Sequence, residues 1–196
     1  MKRSMANLVT LAVGILLLGG PAQAQDSGFY AGLGIGQAKV KDFCDGATTC
    51  DNKDGSLKAF VGYQINKNFG AEFGYVNLGK ASASGTVLGL PVSVNADVKA
   101  FELVGVGTIP FGNEFGAFAK LGLHRWDLDV SGVAAGIPAS LSESGTDLTY
   151  GVGLQWNFHK QAAARVYWQR YNDIGDENTT GKTDVDVFGI SVLFKF

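Results

Sequence analysis

The last eleven residues, Asp186–Phe196, constrain the fold more than any other part of the chain. From Phe188 to Phe196 every second residue is apolar or aromatic, and the alternate positions from Gly189 to Lys195 are small or polar apart from one leucine. Successive side chains of a β-strand point to opposite faces, so this period of two predicts a strand with one wholly apolar face. In a soluble sandwich that face needs a second sheet to cover it, whereas in a membrane barrel the lipid covers it.

Seven earlier segments alternate in the same way, and no segment reads as a helix or a second layer. The predicted strands are Gly28–Val40, Ser56–Asn66, Phe69–Leu78, Ala96–Ile109, Phe115–Val130, Thr146–Phe158, Ala162–Tyr171 and Asp186–Phe196. The connections are alternately long and short, at 41–55, 67–68, 79–95, 110–114, 131–145, 159–161 and 172–183, and the one at 79–95 is expected to be a loop with possible strand extensions. This alternation is typical of an up-and-down meander with all its short turns at one end. We therefore expect an all-β fold, an eight-stranded antiparallel up-and-down transmembrane β-barrel, in which the last strand pairs with the first to leave no open edge.

Residues 1–24 are predicted to be a signal peptide that precedes a single barrel domain at 25–196. A positive start, an apolar run and a small-x-small cleavage pattern follow one another, at Lys2 with Arg3, at Leu8–Leu18, and at Ala22 with Ala24. The alternative is an anchor helix that is kept, for which the apolar run is short.

Charge and cysteine content exclude some classes of function. The formal net charge of the chain is only -2, so there is no basic footprint for nucleic acid. Cys44 and Cys50 lie close together in a polar segment, and a secreted chain meets an oxidising compartment, which favours a disulfide that closes a small surface loop. Two free thiols are the alternative. Neither histidine is near the cysteines in sequence, so we expect no metal site and no cofactor.

Six short motifs span the mature chain, and they are Phe29–Gly34, Val61–Asn66, Ala71–Tyr75, Ala164–Trp168, Asn172–Asp176 and the terminal Phe196. In these motifs and their order the chain resembles the transmembrane barrel of the OmpA family of Gram-negative outer-membrane proteins. The resemblance implies that the closing strand is part of a signal for the barrel-assembly machinery, through Phe188, Ile190, Val192, Phe194 and Phe196. Larger members carry a peptidoglycan-binding domain after the barrel; this chain stops at Phe196, so we do not expect it to anchor the cell wall.

Charged residues at inward positions are the candidate site. Glu72 and Arg165 both fall on inward faces, and the resemblance implies that they form an ion pair across the interior. Further inward candidates are Lys58, Glu102, Lys120 and Lys195. Such a group is either a gate on a narrow ion path or a structural polar core. The interior of an eight-stranded barrel is just wide enough to be filled by side chains, which favours the structural core.

The expected function is a structural or surface-interaction role carried by the extracellular loops. A small low-conductance pore is one alternative and a lipid A-modifying enzyme is another. We expect that the chain is not an enzyme, because His124 and His159 lie far apart in the sequence and neither has a serine and an acidic residue at a spacing that suggests a catalytic group. The expected partners are outer-membrane lipid, lipopolysaccharide and the assembly machinery, and the expected state is a monomer in the outer membrane of a Gram-negative bacterium.

Overall fold

The computed structural model describes residues 27–41, 49–87, 90–134, 137–177 and 179–196, and these residues form nine strands. The strands are β1 (Gly28–Val40), β2 (Thr49–Asp51), β3 (Lys53–Gln64), β4 (Phe69–Val87), β5 (Leu90–Phe111), β6 (Phe115–Ala134), β7 (Ile137–His159), β8 (Ala162–Ile174) and β9 (Thr183–Lys195). Within the described ranges no helix is long and apolar enough to cross a membrane.

Every strand except the short β2 belongs to a closed ring. The pairings run β4–β3–β1–β9–β8–β7–β6–β5, and β5 pairs in turn with β4. All of these pairings are antiparallel. The closing strand pairs with the first strand from Tyr30 opposite Lys195 to Val40 opposite Val185. The predicted eight-stranded meander is therefore closed at the predicted seam, so that each strand of the ring pairs with a neighbour on both sides.

The two faces of the ring have opposite character. Large apolar side chains point outward and are exposed, as at Phe29, Leu103 and Phe188. Charged and polar side chains point inward and are buried, as at Glu72 and Gln169. Soluble proteins have the opposite arrangement, with an apolar interior and a polar surface. A polar interior inside an exposed apolar band is typical of a transmembrane barrel.

Inward glycines make room for inward aromatic rings. Five inward aromatic side chains lie directly opposite a glycine on the neighbouring strand. The pairs are Tyr30 with Gly62, Phe60 with Gly32, Phe118 with Gly153, Trp126 with Gly145, and Tyr167 with Gly189. A Cβ atom at Gly153 would lie 2.6 Å from Cζ of Phe118 and would also collide with the carbonyl oxygen of Val166. The glycine-rich composition, 28 of 196 residues, is thus partly a requirement of packing in a narrow lumen.

The predicted loop at 131–145 is wrong, because these residues are mostly strand, and at 79–95 the possible strand extensions take up most of the predicted loop. β4 and β5 stay paired up to Val87 opposite Leu90, and β6 and β7 stay paired up to Ala134 opposite Ile137. The small residues of these segments carry no strong preference for strand, so their pairing in the sheet decides their structure. The predicted loop at 41–55 is also interrupted, by β2 and by the start of β3 at Lys53.

The long strands build a projecting wall on one side of the barrel. β4 to β7 have 19, 22, 20 and 23 residues, whereas β1, β3, β8 and β9 have 13, 12, 13 and 13. We define the wall as residues 80–87, 90–97, 129–134 and 137–142, whose lowest row is Lys80, Asp97, Asp129 and Ser142. At about 3.3 Å per residue, the wall extends the sheet by roughly 25 Å beyond the ring.

The two edges of the wall differ. On the β4 side, β2 covers the edge by pairing Thr49 with Ser84 and Asp51 with Ser82. On the β7 side, pairing with β8 begins only at Thr149. Residues 137–148, which we call the open edge, are paired with β6 on one side and with no strand of the described residues on the other.

We expect the substitution Gly153→Ala to destabilise the barrel by about 1–3 kcal/mol, because the new methyl group overfills a packed site. The free energy of unfolding is measured by urea titration of the barrel in lipid vesicles. The folded fraction at each urea concentration is read from gels, on which folded and unfolded barrels migrate differently when the samples are not boiled. The control is Gly105→Ala on the outward face, where the nearest atom is a backbone oxygen at 3.7 Å. Equal stability of the two variants would contradict the packing role of Gly153.

Candidate functional site

The structure brings five of the six predicted inward charges together in the middle of the lumen. Lys58, Glu72, Glu102, Lys120 and Arg165 are all buried, with side-chain exposures of at most 5%. They come from β3, β4, β5, β6 and β8, so they meet across the lumen and not along one strand. Lys195 lies apart from them, near the end of β9.

Glu72 is the centre of the first of two clusters. Arg165 Nη1 donates to Glu72 Oε1 at 2.5 Å, and the Tyr30 hydroxyl donates to the same oxygen at 2.9 Å. Lys120 Nζ donates to the other carboxylate oxygen. Arg165 also donates through Nε to Gln155 at 2.8 Å. The predicted ion pair of Glu72 and Arg165 is thus one contact of a larger group that Lys120 completes.

Glu102 is the centre of the second cluster, nearer the wall. Lys58 Nζ lies 2.6 Å from Glu102 Oε1, and the Tyr171 hydroxyl donates to Oε2 at 2.7 Å. Gln169 donates to Oε2 at 2.9 Å and accepts from Lys58 at 2.8 Å. A second bond from Gln169 reaches the Thr149 hydroxyl at 2.9 Å. Each buried charge in this cluster therefore has an opposite charge and polar partners, as burial requires.

Aromatic rings pack between and around the two clusters. The Lys120 ammonium lies 5.3 Å from the centre of the Phe60 ring, and the Arg165 guanidinium lies 4.9 Å from the centre of the Phe118 ring. Lys58 lies 5.6 Å from the ring of Tyr167. Cations at these distances are attracted to the ring faces, and the rings occupy the space that water would otherwise fill.

An apolar layer lies across the lumen on the wall side of the Glu102 cluster. Its members are buried side chains from β1, β4, β5, β6, β8 and β9, and they include Ala38, Val76, Leu78, Val98, Trp126, Leu128, Tyr171, Ile174, Val185 and Val187. Trp126 also donates through its indole nitrogen to Asp147 at 2.8 Å. Ions enter such a layer at high cost, so the layer argues against the alternative of an ion path more strongly than the charged clusters do.

The polar network extends toward the short turns. Lys195 Nζ donates to Asn157 Oδ1 at 2.9 Å, and Gln155 donates to the same oxygen at 2.8 Å. Thr149, Gln155 and Gln169 are also buried in the lumen, although they were not among the predicted site residues. Their positions in alternating strands were the available signal, because an uncharged polar side chain in a filled lumen must bond to its neighbours.

Neither histidine forms a catalytic arrangement in the described residues. Both ring nitrogens of His124 are buried without a hydrogen-bond partner there, and its ring meets Tyr171 edge-on at 5.2 Å. His159 lies next to a short turn and accepts from the backbone nitrogen of Gln161 at 3.2 Å. The same part of the chain contains no group of three or more residues that could hold a metal ion.

Other predicted sites are only partly described. Cys50 lies in β2, whereas Cys44 lies outside the described residues, so the disulfide stays a prediction. Ala22, Ala24 and the signal peptide also lie outside the described residues. The residues of the predicted assembly signal point outward from the last strand and are exposed; they are Phe188, Ile190, Val192, Phe194 and Phe196.

Comparison with known proteins assigns the family. The model of the OmpA-like transmembrane domain matches residues 24–196. The chain belongs to this family. Outer membrane protein A of Klebsiella pneumoniae is 27% identical over 190 residues, which cover 89% of this chain and 53% of that protein. This OmpA-like chain thus spans about half the length of the curated relatives it matches.

Two solved structures share the fold. The first is Ail, the attachment invasion locus protein of Yersinia pestis, in complex with the heparin analogue sucrose octasulfate. Its structure matches this chain with a TM-score of 0.57 at 16% identity, and the match covers 88% of this chain and 100% of Ail. Neisserial surface protein A has a TM-score of 0.58 at 16% identity, covering 87% of this chain and 99% of that one. As predicted, the OmpA-like chain is an outer-membrane protein of a Gram-negative bacterium. Barrels of this membrane have short periplasmic turns, so the wall faces the cell exterior.

We expect Glu72→Gln to destabilise the barrel by about 3–5 kcal/mol, because Arg165 and Lys120 lose their shared counter-charge while they stay buried. Urea titration in vesicles measures the change. The control is Glu177→Gln, which removes the same charge from a side chain that is 75% exposed and that pairs with Lys182 at 3.6 Å. A Glu72→Gln variant as stable as this control would show that the cluster does not hold the barrel together.

Proposed function

We propose that this OmpA-like chain is a surface-interaction barrel that binds proteins outside the cell through its projecting wall. The observation that carries the proposal is the open edge of β7 at residues 137–148. An edge strand presents unpaired backbone N–H and C=O groups, and an extended segment of another protein satisfies them by adding a strand.

The side chains of the open edge suit such an addition. Residues 137–142 are all exposed, and the outward row runs from Pro138 to Leu148 through four small hydroxyl side chains, Ser140, Ser142, Ser144 and Thr146. These hydroxyl side chains are too short to block an approaching strand. Within the described residues a side chain of the open edge is engaged from the open side at Glu143, where the hydroxyl of Thr180 donates to one oxygen at 2.6 Å and Thr179 donates to the other.

The contrast between the two edges supports the same role. Natural sheets cover, charge or shorten an edge to avoid unwanted pairing. The β4 edge of the wall is covered in this way by β2, whereas the β7 edge is long and lacks such cover in the described residues. Ail carries attachment in its name, which agrees with a contact role for a barrel of this shape.

The lumen supports a structural role over the pore alternative, because charged clusters, aromatic rings and an apolar layer fill successive levels of it. The enzyme alternative has no supporting geometry, since neither histidine bonds to a serine, threonine or cysteine side chain in the described residues. We keep outer-membrane lipid, lipopolysaccharide and the barrel-assembly machinery as proposed partners, and a monomer as the proposed state.

The test is a pair of double variants with the same chemistry on the two edges. Ser140→Lys with Ser144→Lys adds charge to the open edge, and Ser82→Lys with Ser84→Lys adds it to the covered edge; all four serines are exposed. Bacteria that display each variant are incubated with immobilised extracellular-matrix and serum proteins, and bound cells are counted. We expect the open-edge variant to lose binding and the covered-edge variant to keep it, because edge lysines oppose strand addition.

Gel mobility of unheated samples must first show that both variants are folded. Equal binding by the wild type and the open-edge variant would contradict the proposal. Equal loss in both variants would also contradict it, since general charge and not the open edge would then explain the result.

A further inference from the structure

The inner face of the wall carries a shallow apolar hollow beside the open edge. The pairings of β5 with β6 and of β6 with β7 contain no bulge, so the alternation that faces the lumen continues onto the wall. The hollow has a volume of about 250 Å³ and reaches from the middle of the wall to its edge strand. Six inward residues of these three strands line it, and they are Val92, Val94, Val130, Gly132, Ala139 and Leu141.

The hollow is open because its central residues are small. Gly132 on β6 lies opposite Val94 on one side and Ala139 on the other. In the lumen, an aromatic ring from the neighbouring strand covers an inward glycine, and a Cβ atom at Gly153 would lie 2.6 Å from Cζ of Phe118. A Cβ atom at Gly132 would find its nearest side-chain atom, Cγ2 of Val94, at 3.6 Å. Because Ala139 belongs to the edge strand, an aromatic ring on an added strand has room to lie across Ala139 into this space.

The size and lining of the hollow favour a single side chain over a separate small molecule. Pockets that enclose a drug-sized ligand have volumes of roughly 300–1,000 Å³ and contain a few convergent polar groups. The hollow is smaller, at about 250 Å³, and its inward lining consists of aliphatic side chains and one glycine. It therefore suits one aromatic side chain of a strand that backbone hydrogen bonds hold at the edge.

The charge next to the hollow is negative. Glu143 lies on the inner face of β7, two residues after Leu141, and its carboxylate accepts from the hydroxyls of Thr179 and Thr180. These donors are uncharged, and no ammonium or guanidinium nitrogen of the described residues lies within 4.0 Å of the carboxylate. The whole of β7 contains no lysine or arginine. A basic side chain on an added strand would therefore complement this edge.

We propose that the open edge selects a strand that carries a basic, an aliphatic and an aromatic residue at alternate positions, in that order along the partner chain. The strand pairs with residues 137–142 in the antiparallel direction, which is the direction of the pairing between β6 and β7. Its aromatic side chain lies opposite Ala139 and fills the hollow, its aliphatic side chain lies opposite Leu141, and its basic side chain faces Glu143. Backbone bonds supply the affinity, and the side chains on the inner face supply the specificity.

The inference rests on the proposed function, because it names the chemistry of the partner that the same edge accepts. The outward positions of the added strand lie beside Ser140 and Ser142, so polar residues suit them. The partner segment is thus an extended stretch of protein with one largely apolar face and one polar face.

The direct test uses two synthetic peptides of the same composition and the folded full barrel in detergent micelles. The first peptide, Thr-Lys-Thr-Val-Thr-Phe-Thr-Thr, has its lysine, valine and phenylalanine on one face. The second exchanges the phenylalanine with the threonine after it, which moves the ring to the other face. Binding is followed by the fluorescence anisotropy of a label at the N-terminus. We expect the first peptide to bind about tenfold more tightly, because only its ring reaches the hollow in the correct register.

Variants of the edge strand locate the contact. Ala139→Leu fills the hollow with a side chain of the barrel itself and should abolish the preference for the first peptide. The control is Ser140→Leu, which adds the same side chain at the next residue, on the outer face, and should keep the preference. Both positions are exposed, so neither change overfills a packed site.

The basic position has a test of its own. Glu143→Gln should weaken binding of the first peptide about threefold, because an ion pair near the surface is lost. It should have no effect on a peptide in which glutamine replaces the lysine. The control is Asp127→Asn, which removes an exposed acidic charge from the outer face of β6 and should leave binding unchanged. An equal effect of Glu143→Gln on the two peptides would show that the edge does not select a basic residue.

The inference is overturned if the peptides with the ring on opposite faces bind the wild type equally, if Ala139→Leu keeps the preference, or if neither peptide binds. The Ser140→Lys, Ser144→Lys variant separates this failure from failure of the proposed function. If both peptides bind the wild type equally and neither binds this variant, strand addition at the open edge stands and the side-chain preference fails. If the peptides bind this variant as tightly as they bind the wild type, the open edge is not the site and both ideas fail.

Discussion

The carboxylate of Glu72 is the contact on which the barrel interior depends. Through Arg165, Lys120 and Tyr30 it joins β4 to β8, β6 and β1, which are separate parts of the ring. Glu102 repeats this arrangement one level nearer the cell exterior with Lys58 and Tyr171. A buried charge without a partner costs several kcal/mol, so these groups fix the strands relative to one another across the lumen.

The narrow lumen is filled by side chains of several kinds. Aromatic rings lie over glycines, ionic clusters lie between the rings, and an apolar layer follows on the outer side. An interior filled in this way leaves the outside of the barrel for contacts with other molecules. We propose that other proteins pair with the open edge of β7, which has no strand partner on one side in the described residues.

The sequence predicted what depends on alternation and little of what depends on register. Alternation correctly assigned Glu72 and Arg165 to the interior and the phenylalanines of the last strand to the lipid face. The wall was predicted only as possible strand extensions at 79–95, because its many serine, alanine and glycine residues have little preference for strand without their partners. The bonds of Gln155 and Gln169 could not be predicted, since they depend on side-chain positions across the lumen.

Single-channel recording in planar bilayers tests most directly whether the lumen is a filled structural core. The folded wild-type barrel should give no discrete conductance steps, because the apolar layer and the Glu72 and Glu102 clusters leave ions no hydrated path. A stable conductance that accompanies the folded barrel, and that changes when Arg165 or Lys120 is neutralised, would contradict this account and make the lumen itself the functional site.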